Sequence, residues 1–238
     1  MTTGRNEHCR RGHQLNYKTN SFICDGCQER GYGSHYRCEI CNFDLHKECH
    51  LPSLTILHDH QAGRGGGYNK FDFHHHPSLH RLFCDACGRP IHGFFYHCKD
   101  RGQDLHPCCA NLPQKIHLPD TDMFLISTII NNVAAGSSTC FHCKKTTLWE
   151  NNHGVPGWSY VSHCGLHWCH VYCLMKIMER QMRHRRSLES SRTRTTTGTG
   201  ESSWWDILSN SSITLIQLIT TGTADPTSTL IDIITAGG

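Results

Sequence analysis

The sequence is poor in the residues that build an ordinary hydrophobic core. Hydrophobic residues make up 37% of its 238 residues and charged residues 18%. When glycine is added and tyrosine is left out, the apolar share is about 43%, somewhat below the roughly 45–50% of a typical globular domain on the same count. No apolar run approaches the roughly 18 residues of a membrane-spanning helix, and the polar segment 1–11 does not resemble a secretory signal. A net charge of +3 is too small to predict a nucleic-acid partner. These absences predict a soluble, cytoplasmic or nuclear protein without a deep core.

What the sequence has instead is 16 Cys and 21 His. An even number of cysteines is compatible with a disulfide scaffold. However, the cysteines fall in Cys-x2-Cys pairs, and histidines recur at fixed distances from them, which disulfide formation does not require. Such pairs allow two thiolates to share one tetrahedral zinc ion. The sequence therefore predicts zinc sites, with disulfides or a redox role of the Cys-x2-Cys pairs as the alternatives.

The chain repeats itself at an offset of sixty residues. The matching residues are Cys24, Cys27, Cys38, His46 and Cys49 in the first copy and Cys84, Cys87, Cys98, His106 and Cys109 in the second. A looser third copy carries Cys140, Cys143, His170 and Cys173. Because so many of the matches are residues that bind metals, they indicate tandem modules.

The first copy has eight candidate metal ligands, enough for two tetrahedral sites. In chain order they are His13, Cys24, Cys27, Cys38, Cys41, His46, Cys49 and His58. They could be grouped as neighbours, with Cys24, Cys27, Cys38 and Cys41 around one ion. They could also interleave, as the ligands of small two-zinc domains usually do.

This pattern resembles the cysteine/histidine-rich C1 domain family, in the divergent (DC1) form found in plant proteins. The residues that carry the resemblance are Cys24-x2-Cys27, Tyr36-Arg-Cys38-x2-Cys41, Phe43-Asp-Leu-His46-x2-Cys49 and Leu51-Pro52, with counterparts from Gly93 to Cys98 and from Asp104 to Pro113. The resemblance covers roughly residues 8–175. It implies small zinc-stabilised α+β modules, each with short antiparallel strands and a short helix. It also implies one zinc site of Cys24, Cys27, His46 and Cys49, and another of His13, Cys38, Cys41 and His58, with His60 as a neighbour that could substitute.

The second and third copies depart from this pattern. Arg101 stands where the resemblance requires a cysteine, and a guanidinium cannot bind zinc. The second copy keeps one full site of Cys84, Cys87, His106 and Cys109. Its other site retains only Cys98, one of His74 to His76, His117 and, if the chain bends, Cys108. The third copy is expected to hold zinc through Cys140, Cys143, His170 and Cys173, with His153, His163, Cys164, His167 and Cys169 as unassigned candidates.

These motifs divide the chain into six segments. They are a complete module at 8–60, a Gly-rich linker at 61–73, a second module at 74–118, a third, atypical module at 123–186, a disordered linker at 187–203 and an apolar tail at 204–238. A strand is expected within 123–135. A helix is expected from Cys169 to Arg186, with Val171, Leu174, Met175, Met178 and Met182 on its apolar side. The tail, with a helix-start signal at Asp225-Pro226, is expected to be helical and to pack on the modules or on another copy.

Sites with four protein ligands are structural rather than catalytic, and we expect about three to five zinc ions per chain. The predicted function is a non-catalytic interaction or signalling protein with a protein partner. A ubiquitin-ligase-like cross-brace protein and a thiol–disulfide redox protein are the alternatives. Diacylglycerol, which some C1 domains bind, is not expected because Ser34-His-Tyr-Arg37 replaces the Gln-Gly of those domains. The basic segment Arg180–Arg194 is a weak candidate for nucleic-acid contact, and the tail is a candidate for self-association.

Overall fold

The structure is a computed structural model. It describes residue 9 and residues 11–59, 68–77, 82–118, 120–127, 139–148 and 155–189, with side chains as far as residue 180. The elements in chain order are β1 (Asn16–Lys18), β2 (Phe22–Ile23), β3 (Arg30–Gly31), β4 (His35–Cys38), β5 (Phe43–His46), α1 (Lys47–His50), β6 (Thr55–Asp59), β7 (Tyr68–His74), β8 (Phe95–Cys98), β9 (Gln103–Leu105), α2 (Pro107–Ala110), β10 (Lys115–His117), β11 (Asp122–Ile126), β12 (Ser159–Ser162), β13 (Trp168–His170) and α3 (Val171–Glu189).

One arrangement occurs three times along the chain: a Cys-x2-Cys turn, an antiparallel pair of strands and a helix. The strand pairs are β4–β5, β8–β9 and β12–β13, and the helices α1, α2 and α3 follow them directly. We call these units the first, second and third modules, after their turns at Cys24–Cys27, Cys84–Cys87 and Cys140–Cys143. Short antiparallel strands with few helices confirm the predicted small α+β class.

The strand that leaves each module becomes an edge strand of the next module's sheet. Strand β6 follows α1 and pairs with β7, from Thr55 opposite Asp72 to Asp59 opposite Tyr68. The resulting sheet has the order β6-β7-β8-β9, and the third module repeats the scheme as β10-β11-β12-β13. Residues 55–59, predicted to close the first module, therefore belong to the sheet of the second.

Part of the predicted Gly-rich linker is a strand. Residues 61–67 lie outside the described residues, but Tyr68–His74 forms β7. Phe71 is 1% exposed, and the ring of Phe73 lies 5.4 Å from that of Tyr96. The alternation of Phe71 and Phe73 is a strand signal. The neighbouring glycines gave the segment the composition of a linker, and the strand was therefore not predicted.

The buried apolar residues form two clusters. The smaller one belongs to the first module and contains Phe22 and Leu45, together with Phe94 from the second module. The larger one extends through the second and third modules, from Phe71 to Met178. The low apolar content of the sequence did not predict this shared core, which exists because the modules pack on one another.

Helix α3 begins two residues later than predicted, at Val171. Val171, Leu174 and Met178 are buried, as their spacing predicts, and so is Ile177. Strand β11 spans Asp122–Ile126 and so includes the first residues of the segment 123–135, in which a strand was expected. Residues 128–135 and 190–238, the latter including most of the predicted linker and the whole tail, lie outside the described residues. Within the described part of the chain, no helix has both the length and the apolar character needed to cross a membrane.

Candidate metal centres

Four groups of three cysteines and one histidine bring their ligand atoms within 4.8 Å of one another. Three of them recur once per module and are called here the recurring centres: Cys24, Cys27, His46 and Cys49; Cys84, Cys87, His106 and Cys109; and Cys140, Cys143, His170 and Cys173. The fourth, called the N-terminal centre, consists of Cys9, His13, Cys38 and Cys41. Thiolate and imidazole are the ligands that structural zinc prefers in proteins.

Each recurring centre starts with the same tight turn. The fourth residue after the first cysteine has a positive φ, between 59° and 67°, at Gln28, Gly88 and Lys144. Its backbone N–H donates to the carbonyl oxygen of the first cysteine at 2.7–2.8 Å. This left-handed residue turns the chain back on itself, so that both cysteines of the pair contribute to one group.

The other two ligands lie where a strand passes into a helix. His46, His106 and His170 directly precede α1, α2 and α3, and the cysteine three residues later lies on the same helical face. In all three modules the histidine Nδ1 lies 3.4–3.5 Å from the Sγ of the second cysteine of the turn. Nδ1 is therefore the atom that each histidine presents to the centre.

The distances within the groups fit a zinc ion. With Zn–S of about 2.3 Å and Zn–N of about 2.0–2.1 Å, tetrahedral ligand atoms are separated by about 3.5–3.8 Å. In the N-terminal centre the Cys9 and Cys41 sulfurs are 3.6 Å apart, and His13 Nδ1 is 3.8 Å from the Cys38 sulfur. Because each group supplies four protein ligands, it fills a tetrahedral coordination shell.

The electrostatics of the second-module centre show why a cation suits it. Although burial opposes the shift, hydrogen bonds with Cys109 and Cys87 hold the pKa of Cys84 well below its ordinary value. The same contacts, with Cys84 and Cys87, raise the pKa of Cys109 well above it. The three thiols thus cannot all ionise together unless a positive charge compensates them, which a bound zinc ion would supply.

The histidine of this centre is held by its other ring nitrogen. His106 Nε2 lies 3.2 Å from the carbonyl oxygen of Pro90 and 3.6 Å from Glu29 Oε1. An N–H at Nε2 that donates to such oxygens leaves the lone pair of Nδ1 free to bind a metal, and it fixes the orientation of the ring.

The N-terminal centre differs from the one that the resemblance implies. Its fourth member is Cys9, whereas His58 was expected. His58 lies on β6, which pairs into the second module's sheet, and its Nε2 is 2.6 Å from the carbonyl oxygen of Ala110. Cys9 Sγ instead lies 3.5 Å from His13 Nδ1. Two features of the sequence could have indicated Cys9 as a ligand: it lies four residues before His13, and it had been assigned to no other metal site. His60, the suggested substitute, lies outside the described residues.

The remaining ligands predicted for the second module belong to none of the groups formed by the described residues. The exposed His117 has its Nδ1 2.7 Å from Asp122 Oδ1, and the ring of His74 stacks on Phe95 with centroids 5.0 Å apart. Cys98 is completely buried. In the described region this module therefore has one centre where the first module has two.

A comparison of equivalent turns explains this difference. The turn from Cys38 to Cys41 ends in a second thiol, whereas the matching turn from Cys98 ends at Arg101, whose N–H donates to the Cys98 carbonyl oxygen. In the third module the same turn runs from Ser162 to Gly165 and has no thiol at its first or last position. The predicted ligand Cys164 is exposed there, with its Sγ 3.3 Å from Ser162 Oγ.

The fold and its centres together define a small α+β protein with repeated Cys/His groups suited to metal ions. Comparison of the chain with protein-family models, with curated proteins and with solved structures found no match. The function therefore has to be inferred from the centres themselves and from the surfaces around them.

Proposed function

We propose that the protein is a zinc-binding, non-catalytic interaction protein built from tandem C1-like modules of the DC1 type. The observation that carries this proposal is the recurrence of one three-cysteine, one-histidine arrangement in all three modules, with the histidine Nδ1 3.4–3.5 Å from the same thiol each time. Four such ligands satisfy zinc and leave no coordination position for a reacting water.

In this role zinc replaces part of the hydrophobic core. The buried cluster of the first module contains three metal-binding cysteines, Cys24, Cys27 and Cys49, beside only Phe22, Leu45 and the Phe94 contributed by its neighbour. A core of that size is too small to stabilise a domain alone. Zinc bound by the folded chain and not by the unfolded one would supply the missing stability.

Exposed apolar side chains support a protein partner. Ile40 is 75% exposed, within the turn that holds Cys38 and Cys41, and Leu54 is 82% exposed. Leu57, Tyr68 and Leu166 are each more than half exposed as well. A scaffold fixed by metal can present such side chains in a constant arrangement, which is the chemistry that an interaction module requires.

The zinc content of the full chain tests the proposal. Purified with zinc present and freed of loosely bound metal, the protein is expected to hold about four zinc ions, one for each group. Cys84→Ser should lower the count by one, whereas Cys164→Ser, an exposed thiol outside the groups, should leave it unchanged. A folded chain that contains no zinc would overturn the proposal.

Two enzymatic alternatives have direct assays. Insulin reduction by the zinc-loaded chain would favour a redox role of the Cys-x2-Cys pairs, but none is expected because metal-bound thiolates are poor attackers of disulfides. Autoubiquitination with a conjugating enzyme would favour a ubiquitin ligase. We expect neither activity.

A further inference from the structure

The sheet of the first module has three strands among the described residues, whereas those of the other two modules have four. In the second and third modules the outermost strands are β6 and β10, which pair with β7 and β11. The first module has the order β1-β4-β5, so β1 takes the place of β7 and β11. In the described part of the chain β1 therefore pairs on one side only, and we call its other side the open edge of β1.

The registers of the three sheets establish this correspondence. In each module one residue of the strand in question lies opposite a tyrosine of the neighbouring strand, and the pairs are Tyr17 with Tyr36, Phe73 with Tyr96, and Leu125 with Tyr160. Each tyrosine also lies opposite the residue that directly precedes the metal-binding histidine. The three sheets are therefore in the same register relative to their metal centres.

Three contacts hold the outermost strand of the second module. The hydroxyl of Tyr96 donates to the carbonyl oxygen of Ser53 at 2.9 Å. The backbone N–H of Phe73 donates to the next carbonyl oxygen, that of Leu54, at 2.9 Å. Two residues further on, Ile56 packs against the buried core.

The third module repeats these contacts at the corresponding residues. The hydroxyl of Tyr160 donates to the carbonyl oxygen of Pro113 at 2.7 Å, and the N–H of Leu125 donates to that of Gln114 at 2.8 Å. Two residues further on, Ile116 is completely buried. An outermost strand thus supplies two successive carbonyl oxygens and then a branched aliphatic side chain.

The first module presents the same receiving groups. The Tyr36 hydroxyl makes no hydrogen bond within the described residues, and by its register the N–H of Tyr17 points towards the open edge of β1. Leu15, two residues before Tyr17, is only partly buried, whereas its counterparts Phe71 and Met123 are each 1% exposed. The two donors and the apolar position that receive an outermost strand are therefore available here.

The described chain has no further strand to place at this edge. Strands β6 and β10 follow the short helices α1 and α2, whereas the third module continues as helix α3 to Glu189. Residues 1–8, Met-Thr-Thr-Gly-Arg-Asn-Glu-His, contain no branched aliphatic residue. The chemistry of the open edge of β1 thus favours a segment from another protein.

We infer that a protein partner docks at the open edge of β1 as an extended segment, which adds a fourth strand antiparallel to β1. The segment gives two successive carbonyl oxygens to the Tyr36 hydroxyl and the Tyr17 N–H, and places a branched aliphatic side chain opposite Leu15. In such strand addition the backbone hydrogen bonds provide affinity and the side-chain position provides specificity. This inference rests on the proposed interaction function and specifies the surface and the chemistry of its partner.

The first test uses the segment that fills this position in the second module. A synthetic peptide of residues 51–59, Leu-Pro-Ser-Leu-Thr-Ile-Leu-His-Asp, is added to the zinc-loaded full chain. At about 90% occupancy, hydrogen exchange of the Tyr17 amide should slow about tenfold, because only the free fraction exchanges. The same peptide with Ile56→Asp should give no protection. A zinc-loaded chain whose Tyr17 amide ignores the first peptide would overturn the inference, while a folded chain without zinc would overturn the proposed function instead.

The free chain supplies the second test, because its Tyr17 amide should exchange rapidly before any peptide is added. Protection of that amide in the free chain would mean that residues 1–8, the apolar tail or a second copy already fills the edge, and it would overturn the inference. Loss of the protection on dilution would identify the second copy as the occupant.

The third test removes a single hydroxyl group. Tyr36→Phe should weaken peptide binding roughly fivefold, as expected for one hydrogen bond, and should leave the denaturant midpoint of the free chain unchanged. Tyr96→Phe and Tyr160→Phe are matched controls that should lower the midpoint, because their hydroxyls hold segments of the chain itself. An equal loss of stability in Tyr36→Phe would show that the position is already filled and would contradict the inference.

Discussion

The backbone N–H of Phe94 donates to the carbonyl oxygen of Gly26 at 2.8 Å, which joins the second module to the Cys-x2-Cys turn of the first. The contact recurs between the next two modules, where the N–H of Trp158 donates to Ala86 at 3.0 Å. The Cys-x2-Cys turns of the first and second modules therefore each also support the module that follows. Loss of metal from one centre is expected to loosen the contact with its neighbour.

The first prediction concerns the close approach of Gly93 to this turn. A Cβ at position 93 would lie 2.0 Å from the carbonyl oxygen of Gly26, so Gly93→Ala must push the two modules apart. Overpacking of this kind costs about 1–3 kcal/mol. Chemical unfolding in excess zinc should show that loss, and hydrogen exchange of the Phe94 amide should accelerate.

Gly102→Ala is the control for this variant. Gly102 has a φ of +61°, and a Cβ there would meet no atom of the described residues within 4 Å, so alanine costs roughly 1–2 kcal/mol through backbone conformation alone. The exchange of the Phe94 amide should remain as in the wild type. An unchanged Phe94 amide in Gly93→Ala would contradict the predicted separation.

The second prediction concerns Arg89, which connects all three modules. Its Nη1 lies 3.0 Å from Glu29 Oε2 in the first module, and its Nη2 lies 2.7 Å from Glu179 Oε1 on α3. Hydrogen bonds to charged groups contribute about 1.5–3 kcal/mol each, and the partial exposure of these side chains reduces that value. We expect Arg89→Met to lower the free energy of unfolding by about 2 kcal/mol.

Arg89→Lys separates charge from geometry in this ion pair. An ammonium group keeps the charge but lacks the planar fork that reaches two carboxylates at once, so the lysine variant should recover only part of the stability. Arg30→Met, at an exposed position, should change the free energy of unfolding by less than about 0.5 kcal/mol. Equal stability of the Arg89→Met and wild-type chains would show that the bridge contributes nothing.

The third prediction distinguishes Cys9 from His58 as the fourth ligand of the N-terminal centre. Cys9→Ser should lower the zinc content from about four to about three ions, since serine does not replace a thiolate ligand. His58→Asn should keep about four, because His58 contacts Ala110 and the Trp158 ring instead. Mass spectrometry of the native proteins gives both counts, and the reverse result would restore the ligand set of the C1 resemblance.

The fourth prediction is that zinc binding weakens as the pH falls. Contacts with Cys84 and Cys87 raise the pKa of Cys109, and burial raises the pKa of Cys49. These thiols are therefore protonated in the metal-free protein at neutral pH, and zinc must displace their protons. For each proton that zinc displaces, the apparent zinc affinity falls about tenfold per pH unit of acidification. Between about pH 7.5 and about pH 6.0 one such proton lowers the affinity about 30-fold. Zinc retained after dialysis at each pH measures the effect, and affinity independent of pH would contradict it.

The sequence could predict the recurring centres because their ligands lie close together along the chain. A Cys-x2-Cys turn and a His-x2-Cys at the start of a helix each fix two ligands by local geometry, so only the pairing of one turn with one helix start remained to be chosen. The C1 resemblance implied that choice, and the repeat at an offset of sixty residues made it the same for Cys24 with His46 and for Cys84 with His106. The apolar side of α3 could likewise be predicted from local spacing, whereas β7 was hidden in a segment whose glycines predicted a linker.

The partners of more distant residues could not be predicted in this way. The sequence alone determined that the chain carries repeated sets of soft metal ligands in small α+β units, since residue type and spacing are local properties. Only the tertiary structure decided that His58 follows β6 into the neighbouring sheet, that Cys9 takes its place beside His13, and that Cys108 of α2 lies beside Glu48 of α1. Those outcomes depend on which strand edges and helix faces meet, and the packing energy that selects them comes from residues far apart in the chain.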